Sequence, residues 1–171
     1  MFLASSIVEF KDERSDLMNT LRVLNNITVR NGLFFRLDYC SNYDNHIQKD
    51  GMQNKYNRII RNSEFVLFLI GKSVGMYTLE EFEIASNGFK ENSYPHITVN
   101  IKEMDEDSRN DSFKEFSDKI KGMDEIKKVI YSDLRDVKIE MIKTLEQRLK
   151  SSGILVRFDN KKCYLNGIKL F

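Results

Sequence analysis

At 171 residues the chain is long enough to bury a core and short for two comfortable domains, so one domain is expected. Its 27 Lys and Arg nearly cancel 26 Asp and Glu, which excludes the overall field that draws a protein to nucleic acid or an anionic membrane. Cys40 and Cys163 lie too far apart for a zinc knuckle or a disulfide framework, no secretory leader is recognisable, and no apolar run approaches the roughly 18 residues that span a bilayer, so a cytoplasmic location is expected.

Along the chain the apolar residues alternate between strand-like runs and helix-like stripes, the pattern of an α/β fold with a parallel sheet. Met1 to Ser5 reads as the first strand. A charged helix from about Phe10 to Arg30 follows, with Leu17, Leu21 and Leu24 on one face and Asn31-Gly32 as its stop. Leu33 to Cys40 reads as the second strand and Ser41 to Asp50 as a surface loop before a helix carrying Tyr56, Ile59 and Ile60. The third strand, Glu64 to Ile70, is almost wholly apolar, as a central strand covered on both faces should be.

After the loop Gly71 to Tyr77 a helix is expected from about Leu79 to Lys90, then a strand over His96 to Ile101 led in by Pro95. Glu103 to Asp111 is a loop, Phe113 to Met123 a short helix and Lys128 to Tyr131 the fifth strand. Asp133 to Lys150 is a long helix with Val137, Met141, Leu145 and Leu149 in one row and Gly153 as its end. In the tail, Ile154 to Phe158 and Cys163 to Phe171 alternate around Asn166-Gly167, which predicts a β-hairpin. The expected fold is thus a flavodoxin-like three-layer α/β sandwich with five parallel strands in the order 2-1-3-4-5 over residues 1–152, and a β-hairpin appendage over 153–171.

Ligands of such sheets bind outside the carboxyl ends of strands one and three, where the strand order reverses. That rule selects Ser5 and Ser6 after the first strand and Gly71, Lys72 and Ser73 after the third. On the next helix Leu79, Phe82, Ala85, Ser86 and Phe89 share a face, with Glu81 at its edge, Glu80 turned to solvent and Ile84 opposite the core, where an apolar side chain hints at assembly. Two readings of Glu81 stand side by side. It completes a capping box with Thr78 in the first helical turn, or it is a carboxylate presented to the crevice and kept ionised by the helix dipole. Ser5 and Ser6 likewise read as strand-end turn residues or as ligand contacts, and Lys72 as a solvated lysine or as part of the cleft.

The run Phe2-Leu3-Ala4-Ser5-Ser6 closing a first strand, and Tyr77 four residues before Glu81 in Tyr-Thr-Leu-Glu-Glu-Phe-Glu-Ile-Ala, resemble TIR (Toll/interleukin-1 receptor-like) domains. In that family an aromatic residue, usually tryptophan, stands four residues before a helix glutamate. The resemblance covers Met1 to about Lys150. It is closest to bacterial TIR-like modules that open longer defence-type proteins with TPR or STAND NTPase modules behind; Phe-Leu-Ala-Ser-Ser-Ile, Tyr56-Asn57, Gly75 to Glu81 and the Asn-Gly hairpin carry it.

The resemblance implies an NAD⁺ hydrolase in which Glu81 is the catalytic carboxylate for cleaving the nicotinamide–ribose bond, giving ADP-ribose or a cyclic product. NAD⁺ is then the substrate, with no further cofactor and no metal. Ser5 and Ser6 would lie near the phosphates or ribose, Tyr77 would stand in for the tryptophan, and Lys72 with Ser73 would border the cleft. Cys40 to Gln53 would be a mobile loop controlling assembly and access. Activation by homotypic self-association, a C-terminal sensor or oligomerisation module, and a role in bacterial anti-phage immunity belong to the same implication. The chain departs from the family in having no tryptophan, and in lacking a clear aspartate–glycine pattern between Asp44 and Gly51.

Two alternatives share the architecture: a non-catalytic TIR scaffold for homotypic binding, and a nucleoside deoxyribosyltransferase-like hydrolase whose glutamate attacks the sugar. A phosphate-receiver domain needs an aspartate at the end of strand three, where Ile70-Gly71 stands. No G-x-G-x-x-G, Walker loop or H-E-x-x-H occurs, and His46 and His96 are isolated.

Overall fold

A computed structural model describes residues 1–39 and 49–171, with residues 49–53 described by their backbone. The elements in chain order are β1 (Phe2–Ser5), α1 (Lys11–Thr28), β2 (Asp38–Tyr39), α2 (Lys49–Arg61), β3 (Phe65–Ile70), α3 (Met76–Asn92), β4 (His96–Lys102), α4 (Asp111–Lys121), β5 (Lys127–Tyr131), α5 (Leu134–Ser151), β6 (Val156–Asp159), β7 (Lys162–Leu165) and β8 (Ile168–Lys169). The first five strands form one parallel sheet in the order β2-β1-β3-β4-β5, so the flavodoxin-like α/β class read from the alternating periods is the class of the fold. By its contacts the chain divides into two compact units, Met1–Lys11 with Asp38–Ile130, and Asp12–Leu37 with Tyr131–Phe171.

In the first unit strand alternation sorts the side chains between two buried faces. Phe2, Ala4, Val66, Phe68 and Val99 join α2, α3 and α4 in one apolar cluster, to which Tyr56 and Ile60, Phe82 and Ala85, and Phe116 and Ile120 contribute. Phe82 is the keystone, with its ring 5.5 Å from that of Phe68 and 4.9 Å from that of Phe116, both edge-on. Each large apolar side chain so buried contributes roughly 1.5–3 kcal/mol. The intervening residues Leu3, Ser5, Leu67, Leu69, Thr98 and Asn100 turn to the opposite face and are also buried. The register aligns Ser5 with Leu69, and Leu69 with Asn100.

The second strand is much shorter than the eight apolar-rich residues from Leu33 to Cys40 predict. The described pairing is confined to Asp38 and Tyr39 against Phe2 and Leu3. The cause lies in α1, whose side chains take the backbone groups that a ladder would use. Asn25 Nδ2 donates to the Phe35 carbonyl and Asn25 Oδ1 accepts from the Phe35 N–H, both at 2.8 Å, while Thr28 Oγ1 donates to the Leu33 carbonyl at 3.1 Å. The expected loop over Cys40 to Gln53 falls on residues outside the described ones, or described by backbone alone.

In the second unit α5 starts at the N-cap Asp133 and stops before Gly153, whose φ of 76° is the left-handed conformation that favours glycine. The tail is a three-stranded antiparallel sheet, β6-β7-β8, larger than the single hairpin expected. Asn166-Gly167 makes its second turn with φ of 49° and 83°, and Asn160-Lys161 makes the first with φ of 43° and 60°. Lysine is an uncommon residue at such a position, which is why the first turn did not stand out. Cys163 on β7 is a buried free thiol whose pKa burial pushes up to about 11, in keeping with an inert core residue. Among the described residues no helix is long and apolar enough to cross a membrane.

Candidate functional site

The helix that carries the principal candidate begins three residues earlier than its apolar stripe predicts. Gly75 is its N-cap, extended at φ −73° and ψ 156°, with no side-chain capping bond, and the Leu79 N–H reaches the Gly75 carbonyl at 3.0 Å. Thr78 is therefore inside the first turn and buried, and the capping box expected of Thr78 and Glu81 does not form at the start of the helix. Glu81 falls in the second turn, beyond the strongest part of the dipole field that was expected to hold it ionised.

Glu81 is also buried more deeply than an edge position implies. It is 1% exposed, on the face that it shares with Thr78, Phe82, Ala85 and Ser86. A carboxylate so placed is costly unless its charge is met, and Glu81 is not without a partner. Glu80, expected in solvent, accepts a hydrogen bond from Asn57 Nδ2 of α2 at 3.0 Å. Ile84, expected opposite the core, is partly buried against it, so its hint of assembly is withdrawn. The shared reason is that α3 is flanked on both sides. Asn57 of α2 meets it on one side; on the other, Phe116 packs on Phe82 and Lys119 of α4 pairs with Glu83 at 2.7 Å. A groove of about 200 Å³ along α3 and α4, lined by Glu83, Ser86, Asn87, Lys90 and Lys119 among others, does not include Glu81.

At the carboxyl edge of the sheet the structure joins Ser6 and Lys72 through a residue the sequence did not single out, Glu9. The chain turns sharply after β1: the Phe10 N–H donates to the Ser6 carbonyl at 3.2 Å, and the Glu9 N–H to Ser6 Oγ at 3.3 Å. That turn carries the Glu9 carboxylate across to β3, where Oε1 accepts from the Lys72 N–H at 2.8 Å. Ser6 is thus a turn residue, as one of its two readings had it. The Lys72 side chain is exposed, its carbonyl accepts from the Asn110 N–H at 3.1 Å, and Ser73 is half-buried.

Ser5 and Glu81 do not share a face. Ser5 stands beside Leu69, while α3 covers the face of Phe68, so a ligand that met both would have to lie over the edge itself. Ser5 Oγ is buried and has no hydrogen-bond partner among the described residues, and the same holds for Oδ1 of Asn100, whose Nδ2 donates to the Phe68 carbonyl at 3.2 Å. Around the edge several apolar side chains face solvent: Ile7 and Val8 in the turn after β1, and Met76 and Tyr77 at the start of α3. Glu9 was legible only as one carboxylate between apolar neighbours in Ile7-Val8-Glu9-Phe10, at the strand end that the topology rule selects. Among the described residues no group of three His, Cys, Asp or Glu side chains converges as a metal site would.

No family model, no curated protein sequence and no solved structure matches the chain.

Proposed function

We propose that the chain is an NAD⁺ glycohydrolase of the TIR type, with Glu81 as its catalytic carboxylate. The observation that carries the reading is a buried glutamate in the second turn of the helix that leaves β3 at the switch point of the sheet. Loss of nicotinamide leaves an oxocarbenium-like ribose, and a fixed carboxylate in a water-poor site stabilises that developing positive charge far better than solvent does. Water then adds to give ADP-ribose, or an internal base nitrogen adds to give a cyclic product. The exposed Tyr77, Met76, Ile7 and Val8 supply apolar surface for the nicotinamide and adenine rings, and Ser6 and Lys72 supply polar groups for the ribose and phosphates.

Because Glu81 is closed off in this state, turnover requires the edge to open, and self-association of the domain is the step we assign to that opening. A role in bacterial anti-phage defence belongs to the same proposal. The test is nicotinamide release from NAD⁺ by concentrated protein, with Glu81→Gln as the matched variant. Wild-type turnover with at least a hundredfold loss in a folded Glu81→Gln is expected. Equal activity in the two removes Glu81 from the chemistry.

The burial that motivates this reading also favours one rival. A glutamate only 1% exposed is what a scaffold would show if the carboxylate served the packing of α3 alone. Reversible self-association without NAD⁺ loss at any concentration would establish the non-catalytic scaffold in place of the hydrolase.

A further inference from the structure

Glu9 is held in an unusual way for a carboxylate that ties two loops together. Its Oε1 takes the Lys72 N–H at 2.8 Å. The approach is so close that a Cβ at position 71 would come within 1.9 Å of Glu9 Oε1 and 2.9 Å of Phe10 Cζ, so glycine is the residue this contact permits. Gly71 follows Leu69 by two residues, which turns the same face of β3 to the Glu9 carboxylate as to Ser5. On that face Ser5 is 7% exposed, its Oγ lacks a partner among the described residues, and the Lys102 ammonium lies 5.8 Å from the centre of the Phe10 ring. One anion, the backbone donor that it holds, a hydroxyl without a partner among the described residues and one cation thus lie at the position where open α/β sheets receive anionic ligands.

We propose that Glu9 is an internal stand-in for a ligand's phosphate: its carboxylate occupies an anion subsite at the carboxyl ends of β1 and β3, and a phosphate-bearing ligand binds by displacing it. The Ser6–Phe10 turn is then a latch. It is closed while Glu9 holds Lys72, and open when a phosphate oxygen takes the Lys72 N–H and the Ser5 hydroxyl. Two acids competing for one donor make the occupied and empty states exclusive, so binding at this edge is weakened by whatever the closed latch is worth. The subsite takes phosphate or pyrophosphate as a chemical class; only the extension to a dinucleotide rests on the NAD⁺ reading above.

The test titrates inorganic pyrophosphate into the full chain and into Glu9→Gln and Glu9→Ala, following the Lys72 amide by nuclear magnetic resonance and the affinity by calorimetry. Glu9→Gln retains an acceptor for Lys72 and so preserves the tie while removing the competing charge. Both variants are expected to bind pyrophosphate at least about tenfold more tightly than wild type, the scale of one charge-assisted hydrogen bond, with the Lys72 resonance moving on binding. Unchanged or weaker affinity in a folded Glu9→Gln, no binding in any form, or binding that leaves Lys72 unmoved overturns the latch. NAD⁺ turnover is not read, so a latch that passes while neither wild type nor Glu81→Gln releases nicotinamide overturns the hydrolase reading and leaves the subsite standing.

Discussion

Two helices of similar length, α3 and α5, bury their faces by different means. α5 has one apolar stripe, Val137, Met141, Ile142, Leu145 and Leu149, and begins at a capped end, where Asp133 Oδ1 accepts from the Arg135 N–H at 2.9 Å. Its one buried charge, Lys138, is met at 2.8 Å by Asp16 and lies 5.4 Å from the ring of Phe171. α3 buries Thr78, Glu81 and Ser86 beside its two apolar residues, and begins at a glycine that contributes no capping bond. α5 follows every local rule for a stable amphipathic helix. α3 breaks two of them: its start has no side-chain capping bond, and polar groups stand where packing prefers hydrocarbon.

The largest effects test whether that division of labour is real. Met141 is fully buried, so Met141→Ala removes packed methylenes and leaves a cavity, costing about 2–5 kcal/mol in urea unfolding while leaving whatever chemistry α3 performs intact per folded molecule. Glu81→Gln should behave oppositely, with the loss falling on nicotinamide release. A Met141→Ala variant that unfolds no more readily than wild type would show that α5 is not the stabilising partner in the comparison.

The cap on α5 is worth less and carries a pH signature. Asp133→Ala should cost about 1 kcal/mol of stability near neutral pH. Arg135 holds the Asp133 carboxyl down, chiefly through side-chain hydrogen bonds and next through its backbone N–H, from the ordinary 3.8 to about 2. A carboxyl depressed in the folded state contributes its stability above its unfolded pKa and loses it as pH falls through the folded one. The gap between wild type and Asp133→Ala should therefore be constant above about pH 4 and close between 3.8 and about 2. A gap that persists at lower pH would mean that packing, not the ionised cap, sets it.

The contrast between the helices also explains what could be read in advance. The central β3 and the stripe of α5 were legible because each rests on a long run whose burial repeats a single rule, and the strand order because five alternating units most often take it. β2 was misjudged because Asn25 and Thr28, side chains of the preceding helix, take the backbone groups of Phe35 and Leu33. The start of α3 was misjudged because Thr78 and Glu81 imitate a capping box, while the cap is a glycine that carries no such signal. Glu81 was found through spacing and resemblance, yet its depth was hidden, since the two flanking helices widen the buried arc of α3 beyond what one helix's periodicity reports. Glu9 escaped because its meaning lies wholly in the approach of two loops 63 residues apart.

The smallest effect sharpens the comparison by giving α3 what α5 has. At Gly75 the backbone is already extended, as an N-cap requires, and nothing lies within 4 Å of a Cβ built there. Gly75→Ser therefore adds a hydroxyl that can accept one of the free N–H groups of the first turn without strain, and also narrows the unfolded ensemble, for a gain of a few tenths of a kcal/mol or somewhat more. If the bare start of α3 serves only as a weak cap, the variant gains stability and keeps its nicotinamide release. If opening of the edge requires the first turn of α3 to loosen so that Glu81 can be reached, the same substitution raises the unfolding midpoint and slows turnover together. Measured on one preparation, the two readings separate a helix that is merely poorly capped from one that is left uncapped so that it can move.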